Sequence, residues 1–110
     1  MAEQNLNDDR FLDCISNIYN AIAAIKAAAI ERDSDVVLAL QHAAEALISP
    51  ASSALGKPAS SIEQSEAFTR IGCLADLIDA VNLEIDDQLL HAASVLLHVA
   101  SGQLCTPEPA

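Results

Sequence analysis

HAAEALISPASSAL occupies residues 42–55, and HAASVLLHVASGQL occupies residues 91–104. In register the two stretches share His, Ala, Ala, Leu, Ala, Ser and Leu, while Ala46 meets Val95 and Ile48 meets Leu97 as mild exchanges. Ala and Leu are the strongest apolar helix formers, whereas strands favour β-branched and aromatic residues. The phrase therefore reads as a helix-packing unit written twice. Upstream, CISNIYNAI from Cys14 meets CLADLIDAV from Cys73 in the same manner, Ile15 with Leu74 and Ile18 with Leu77. Each half becomes one helix containing Cys followed by one containing His. The expected fold is all-α: a four-helix bundle built from two similar antiparallel helical hairpins, with helices over about 8–31, 34–49, 62–81 and 86–102.

Periodicity supports those spans. Phe11, Ile15, Ile18, Ile22, Ile25 and Ala29 recur at steps of three and four behind a cap at Asn7 or Asp8, with Leu12, Tyr19 and Ile30 widening the stripe. The turn ERDSD offers Asp33 or Ser34 as the cap of a second helix, whose apolar face is Val36, Val37, Leu40, Ala44, Leu47 and Ile48. Pro50 has no N–H to donate and should stop that helix, opening a linker over 50–60 in SPASSALGKPASS. Ser61 followed by Gln64 forms a capping-box pattern ahead of Phe68, Ile71, Leu74, Ala75, Ile78 and Val81. Gly72 within that run costs about 1 kcal/mol of helix propensity, which a close helix approach would offset. After a break between Asn82 and Asp87, Leu89, Leu90, Ala93, Leu96, Leu97 and Ala100 make the last helix the most apolar. The 110 residues suit one domain with one core: hairpin 1 over 8–49, the linker, hairpin 2 over 61–104, and a disordered tail over 105–110.

Charge narrows the classes of partner. A formal net charge of −11 repels phosphate backbones and anionic lipid, which disfavours direct nucleic-acid and membrane binding and suits a basic protein partner, a cation, or solubility alone. No apolar run approaches the roughly 18 residues a membrane span needs, and MAEQNLNDDR is acidic where a secretory signal would be basic. Three cysteines without metal-type spacing make no disulfide framework, so the expected location is the cytoplasm. Cys14 and Cys73 read as small core residues, and Cys105 as an exposed thiol in the tail.

Chemistry is hard to find. A di-metal bundle needs inward carboxylates and carboxylate-x-x-His pairs, a pattern that neither His42 with Glu45 nor Asp87 with His91 reproduces, so no metal and no cofactor is expected. LQHAAEALISPASSALG is similar to the helix of four-helix phosphotransfer domains, but that family places a lysine three positions after its histidine. Here Glu45 stands at that position and would repel a phosphoryl group. No cation marks either early thiol as activated, and three glycines make no phosphate loop. A non-enzyme is expected.

What remains is surplus apolar helix face on a thin, Ala-rich core. That points to a helical regulator or adaptor acting by protein–protein contact, and to a homodimer that buries more surface than one chain does alone. Tyr19, Lys26 and Ile30 are the partner candidates on the first helix, unless Tyr19 packs inward with its hydroxyl at the edge. The alternative is an acidic inhibitor, a nucleic-acid mimic that blocks a basic groove, carried by Asp76, Asp79, Glu84, Asp86 and Asp87 as a row of carboxylates. One continuous negative face favours the mimic; scattered acids beside an exposed apolar patch favour the adaptor.

Overall fold

The computed structural model describes residues 8–54, 57 and 61–104, and their regular structure is all helical: α1 (Asp8–Arg32), α2 (Asp35–Glu45), α3 (Ile48–Ala54), α4 (Ile62–Ile85) and α5 (Gln88–Leu104). The expected cap at Asn7, the tail and Cys105 lie outside the described residues, as do the side chains of Asp8 and Phe11. Ser34 starts α2, accepting a hydrogen bond from the Val37 amide at 3.3 Å, and Ser61 starts α4, accepting one from the Gln64 amide at 3.1 Å. Each hydroxyl satisfies one of the amides that a first turn leaves unpaired. The box at Ser61 is not closed, because the Gln64 side chain donates to the Lys57 carbonyl instead. Asp33 is left-handed at φ 50°, a conformation short polar side chains tolerate, and it makes the turn that Ser34 then caps.

The helices pack as a four-rod bundle. α5 lies between α1 and α4, α2 packs on α1, and α3 packs chiefly on α4. Hydrogen bonds fix two directions. Cys14 near the start of α1 reaches Ala100 near the end of α5, and Arg32 at the end of α1 reaches Asp87 just before α5, so these helices are antiparallel. Asp79 meets Ser94 and the Phe68 carbonyl meets Ser101, so α4 and α5 are antiparallel too. The core they enclose is a column of Ile and Leu (Ile18, Ile25, Ile71, Ile78, Leu90, Leu97) alternating with fully buried alanines such as Ala21, Ala28, Ala75, Ala93 and Ala100. Each large side chain contributes about 1.5–3 kcal/mol on burial, and the alanines let neighbouring backbones come close.

The second rod is broken where the sequence predicts a linker. In an unbroken helix the nitrogen of residue 50 would donate to the carbonyl of residue 46, but proline has no N–H and its ring would meet that carbonyl. The chain leaves α2 at Glu45, turns through Ala46 and Leu47, and is helical again from Ile48. Pro50 then lies in the first turn of α3, where its missing donor costs nothing. The predicted linker over 50–60 is therefore corrected. Its first residues form α3, and Ala51 and Ala54 are buried. In the second phrase Val99 stands in register with Pro50, and α5 runs on without a break. The other predicted break also moves. α4 continues to Ile85, because Asn82 stays helical and spends its side chain on the turn that follows.

The two halves correspond less closely than their letters do. His42 and His91 are both exposed, and Ala44 with Ala93 and Ala51 with Ala100 are all buried. The Cys blocks disagree: Cys14 is buried and Cys73 exposed, and Ile18 is buried while Leu77 is half exposed. The inward stripe of α4 runs through Ile71, Leu74, Ala75 and Ile78, one residue out of phase with the stripe of α1 under that alignment. The reading of Cys73 as a core residue is thus overturned. Leu12, Tyr19 and Ile30, expected to widen the stripe of the first helix, and Val36, expected on the apolar face of the second, are likewise more than half exposed. Gly72 does not mark a forced close approach, since a Cβ there would stand 3.5 Å from Ser101 Oγ, an ordinary contact.

Two outcomes follow from these local causes. Gly72→Ala should stabilise the fold by up to about 1 kcal/mol in denaturant unfolding, by helix propensity and reduced unfolded-state freedom. Pro50→Ala should let α2 and α3 join, so that carbon chemical shifts of Ala46 and Leu47 become helical. Unchanged shifts would place the cause of the break elsewhere.

Candidate functional site

Tyr19, Lys26 and Ile30 come together as one exposed strip. Leu12, Ser16, Tyr19, Ala23, Lys26 and Ile30 follow one another at steps of four and three, which keeps them on one flank of α1. Leu12 is 56% exposed, Tyr19 55% and Ile30 74%, so no neighbouring helix covers them. α2 extends the strip with Leu38, 43% exposed. Lys26, Ala29 and Ile30 of α1 and Leu38 and Gln41 of α2 line a shallow groove of about 270 Å³, closed at the turn by Asp33, Ser34 and Asp35. On the other side of Ser34 a second groove of about 410 Å³ runs between Val36 and the end of α4, lined by Ala80, Val81, Glu84 and Ile85. Both hollows lie at the turn between α1 and α2, where α2 begins.

The five acids expected to form one row are dispersed. Asp79 faces α5, accepting hydrogen bonds from Ser94 Oγ at 2.5 Å and from His98 Nε2 at 3.2 Å. The Ser94 hydroxyl, helped by His98, holds the Asp79 carboxyl below the ordinary carboxylate range against the opposing effect of partial burial. Asp76 is exposed beside the same histidine, 4.0 Å away. Glu84 turns to the α2 side. Asp86 is left-handed at φ 55° and ends α4, its amide donating to the Asn82 carbonyl at 2.8 Å.

Asp87 is not a surface residue at all, being only 7% exposed. One carboxylate oxygen accepts from Arg32 Nε at 2.6 Å, and the other accepts from the Leu89 and Leu90 amides at 2.7 and 3.2 Å. Asn82 clasps its backbone, accepting from the Asp87 amide at 2.7 Å and donating to its carbonyl at 3.1 Å. Burial alone would raise this carboxyl, but Arg32 and the two amides outweigh it and leave the group below its usual range. Asp87 therefore caps α5 and ties the end of α1 to the α4–α5 turn, a structural role in place of the expected partner contact.

Asp76, Asp79 and His98 form a cluster that the sequence reading missed, each offering a ligand atom within 4.8 Å of the others. Two carboxylates and an imidazole are donors that a divalent cation accepts. All three are exposed, and the hydrogen bonds from Ser94 and His98 already account for the arrangement as a clamp between α4 and α5. The available signal was the three-residue step from Asp76 to Asp79; finding His98 opposite it required the register of the hairpin. Cys14 is no nucleophile: its thiol donates to the Ala100 carbonyl at 3.3 Å, and burial pushes it up to about 11. His42 is exposed on α2 next to Glu45, 3.5 Å away.

No protein-family model matches the chain, and no curated protein or solved structure matches it. Among the described residues, no helix is long and apolar enough to cross a membrane.

The Asp87 contacts predict a pH signature. A carboxyl depressed in the folded state contributes stability that is present above its unfolded pKa of about 3.9 and is lost as pH falls through the lower folded value. Asp87→Asn should therefore cost about 1–3 kcal/mol at pH 7, through the lost cap and the unpaired Arg32. The gap to the unsubstituted chain should narrow below about pH 4. Urea unfolding from pH 7 to pH 2 measures this, and a gap independent of pH would contradict it.

Proposed function

We propose that this chain is a non-enzymatic interaction protein, a helical regulator or adaptor that docks on another protein and also associates as a homodimer. The observation that carries this reading is the uncovered strip of Leu12, Tyr19 and Ile30 on α1, continued by Leu38 on α2, in a chain that is strongly acidic as a whole. Apolar side chains left in water gain about 25 cal/mol per Å² when a partner covers them. Tyr19 supplies a rigid amphipathic anchor. Around the strip, the net charge of −11 favours a partner with basic side chains at its rim and disfavours nucleic acid. The cytoplasm suits unpaired Cys14 and Cys73.

A nucleic-acid mimic has less support. It needs carboxylates free and aligned, yet Asp87 is spent on Arg32 and the start of α5, Asp79 is held by Ser94 and His98, and Glu84 lies on another side of α4. Those acids are dispersed, whereas the exposed apolar residues of α1 are aligned.

Quantitative retention of proteins from the native host compares the two ideas. Tyr19→Asp and Ile30→Asp should leave unfolding free energy within about 0.5 kcal/mol, because both side chains are exposed. Both variants should abolish retention of the partner. Ile18→Ala, in the core, should instead cost about 2–5 kcal/mol. Partner loss caused by Asp76→Asn with Asp79→Asn, with the two strip variants binding normally, would overturn the adaptor reading in favour of the mimic.

A further inference from the structure

We infer that the uncovered strip of α1 is a seam for a second copy of this chain, with the two α1 helices antiparallel about a two-fold axis near residue 21. This rests on the homodimer proposed above and assigns its face, for which a second copy and another protein would compete. The strip positions 12, 16, 19, 23, 26 and 30 advance by four, three, four, three and four, so they read the same from either end. Antiparallel pairing about residue 21 sets Leu12 opposite Ile30 of the second copy, Ser16 opposite Lys26, and Tyr19 opposite Ala23. Apolar ends meet apolar ends, a cation meets a hydroxyl that can accept its hydrogen bond, and the one large aromatic meets a methyl group. Parallel pairing would instead oppose Lys26 to Lys26 and Tyr19 to Tyr19, joining like charges and crowding the centre.

Charge permits the same surface. Two copies of a chain with net charge −11 repel each other over most approaches. The strip from Leu12 to Ile30 contains no carboxylate, and its one charged side chain is Lys26. Asp13 and Glu31 lie about 100° further round the helix. Between Leu12 and Ile30 two copies can touch without opposing acids, and only beyond the strip does the register set Asp33, at the closed end of the groove, against position 9 of the second copy.

Shape supplies the third element. α2 packs along the C-terminal half of α1, and the groove of about 270 Å³ between Ile30 and Leu38 opens on the strip. In the antiparallel register that groove faces Leu12 of the second copy, and the two-fold repeats the contact at the other end. From Leu12 to Ile30 the seam is about 27 Å long at 1.5 Å per residue. One helix face with two such side-chain insertions falls at the small end of specific interfaces, so dissociation should be micromolar.

Sedimentation equilibrium on the full chain, from about 1 to 300 μM, should show a monomer–dimer equilibrium in that range, weakened at least about 30-fold by Ile30→Asp with an unchanged circular dichroism spectrum. Register is tested in chains carrying Cys73→Ser and Cys105→Ser, with buried Cys14 retained. Mixed under mild oxidation, a Leu12→Cys chain and an Ile30→Cys chain should join to each other, and neither should join efficiently to itself. A wild-type chain that stays monomeric would show that the occupant is not a second copy, while the host-retention experiment separately decides the docking role. A dimer indifferent to Ile30→Asp would overturn the seam, and efficient self-joining of the Leu12→Cys chain would overturn its antiparallel register.

Discussion

Burial of α5 between α1 and α4 is the interaction on which the rest of the bundle depends. Leu90, Ala93, Leu97 and Ala100 are fully enclosed, and the Cys14 thiol donates to the Ala100 carbonyl from the facing helix. Alanine contributes little apolar area of its own. Its value here is that two backbones can approach until the larger Ile and Leu side chains above and below are sealed from water. The inward stripes of α4 and α5 also take in buried polar residues, Gln64, Ser94 and Ser101, each of which makes a hydrogen bond.

Polar contacts then lock the ends that packing leaves open. At one end Arg32, Asp87 and Asn82 join the last turn of α1 to the reversal between α4 and α5, and the same carboxylate satisfies two amides of α5. Along the shared flank, Asp79 draws in Ser94 and His98. Asn17 donates to Gln103 at 3.0 Å toward the opposite end. These bonds engage two of the acids, Asp79 and Asp87, that composition alone would leave to solvent.

The side of the bundle built from α2 and α3 is the thin one. α2 covers α1 along one flank and leaves another in water, with a groove on each side of Ser34. Leu12, Tyr19, Ile30 and Leu38 lie uncovered along that flank. A chain that leaves Tyr19 and Ile30 uncovered on the same face retains apolar area for a contact that its own helices do not make.

Helical class, the four rods and most of the inward residues were legible in the sequence, because a period near 3.6 and small apolar side chains leave a helix one way to hide its stripe. Ile18, Ile25, Ile71, Ile78, Leu90 and Leu97 are buried as the pattern implies. Serine caps at Ser34 and Ser61 were legible for the same local reason, since a hydroxyl two or three residues ahead of an unpaired amide needs no tertiary partner. What sequence alone did not determine were the facts that depend on a second helix. Cys73 and Leu77 match Cys14 and Ile18 in letters, but the rotation of α4 against α5 turns them outward. Asp87 looks like any surface acid until Arg32 arrives from 55 residues away, and His98 meets Asp79 only through hairpin register. Periodicity says which residues share a face; only packing decides which face another helix covers, because that depends on distances between segments the local pattern does not contain.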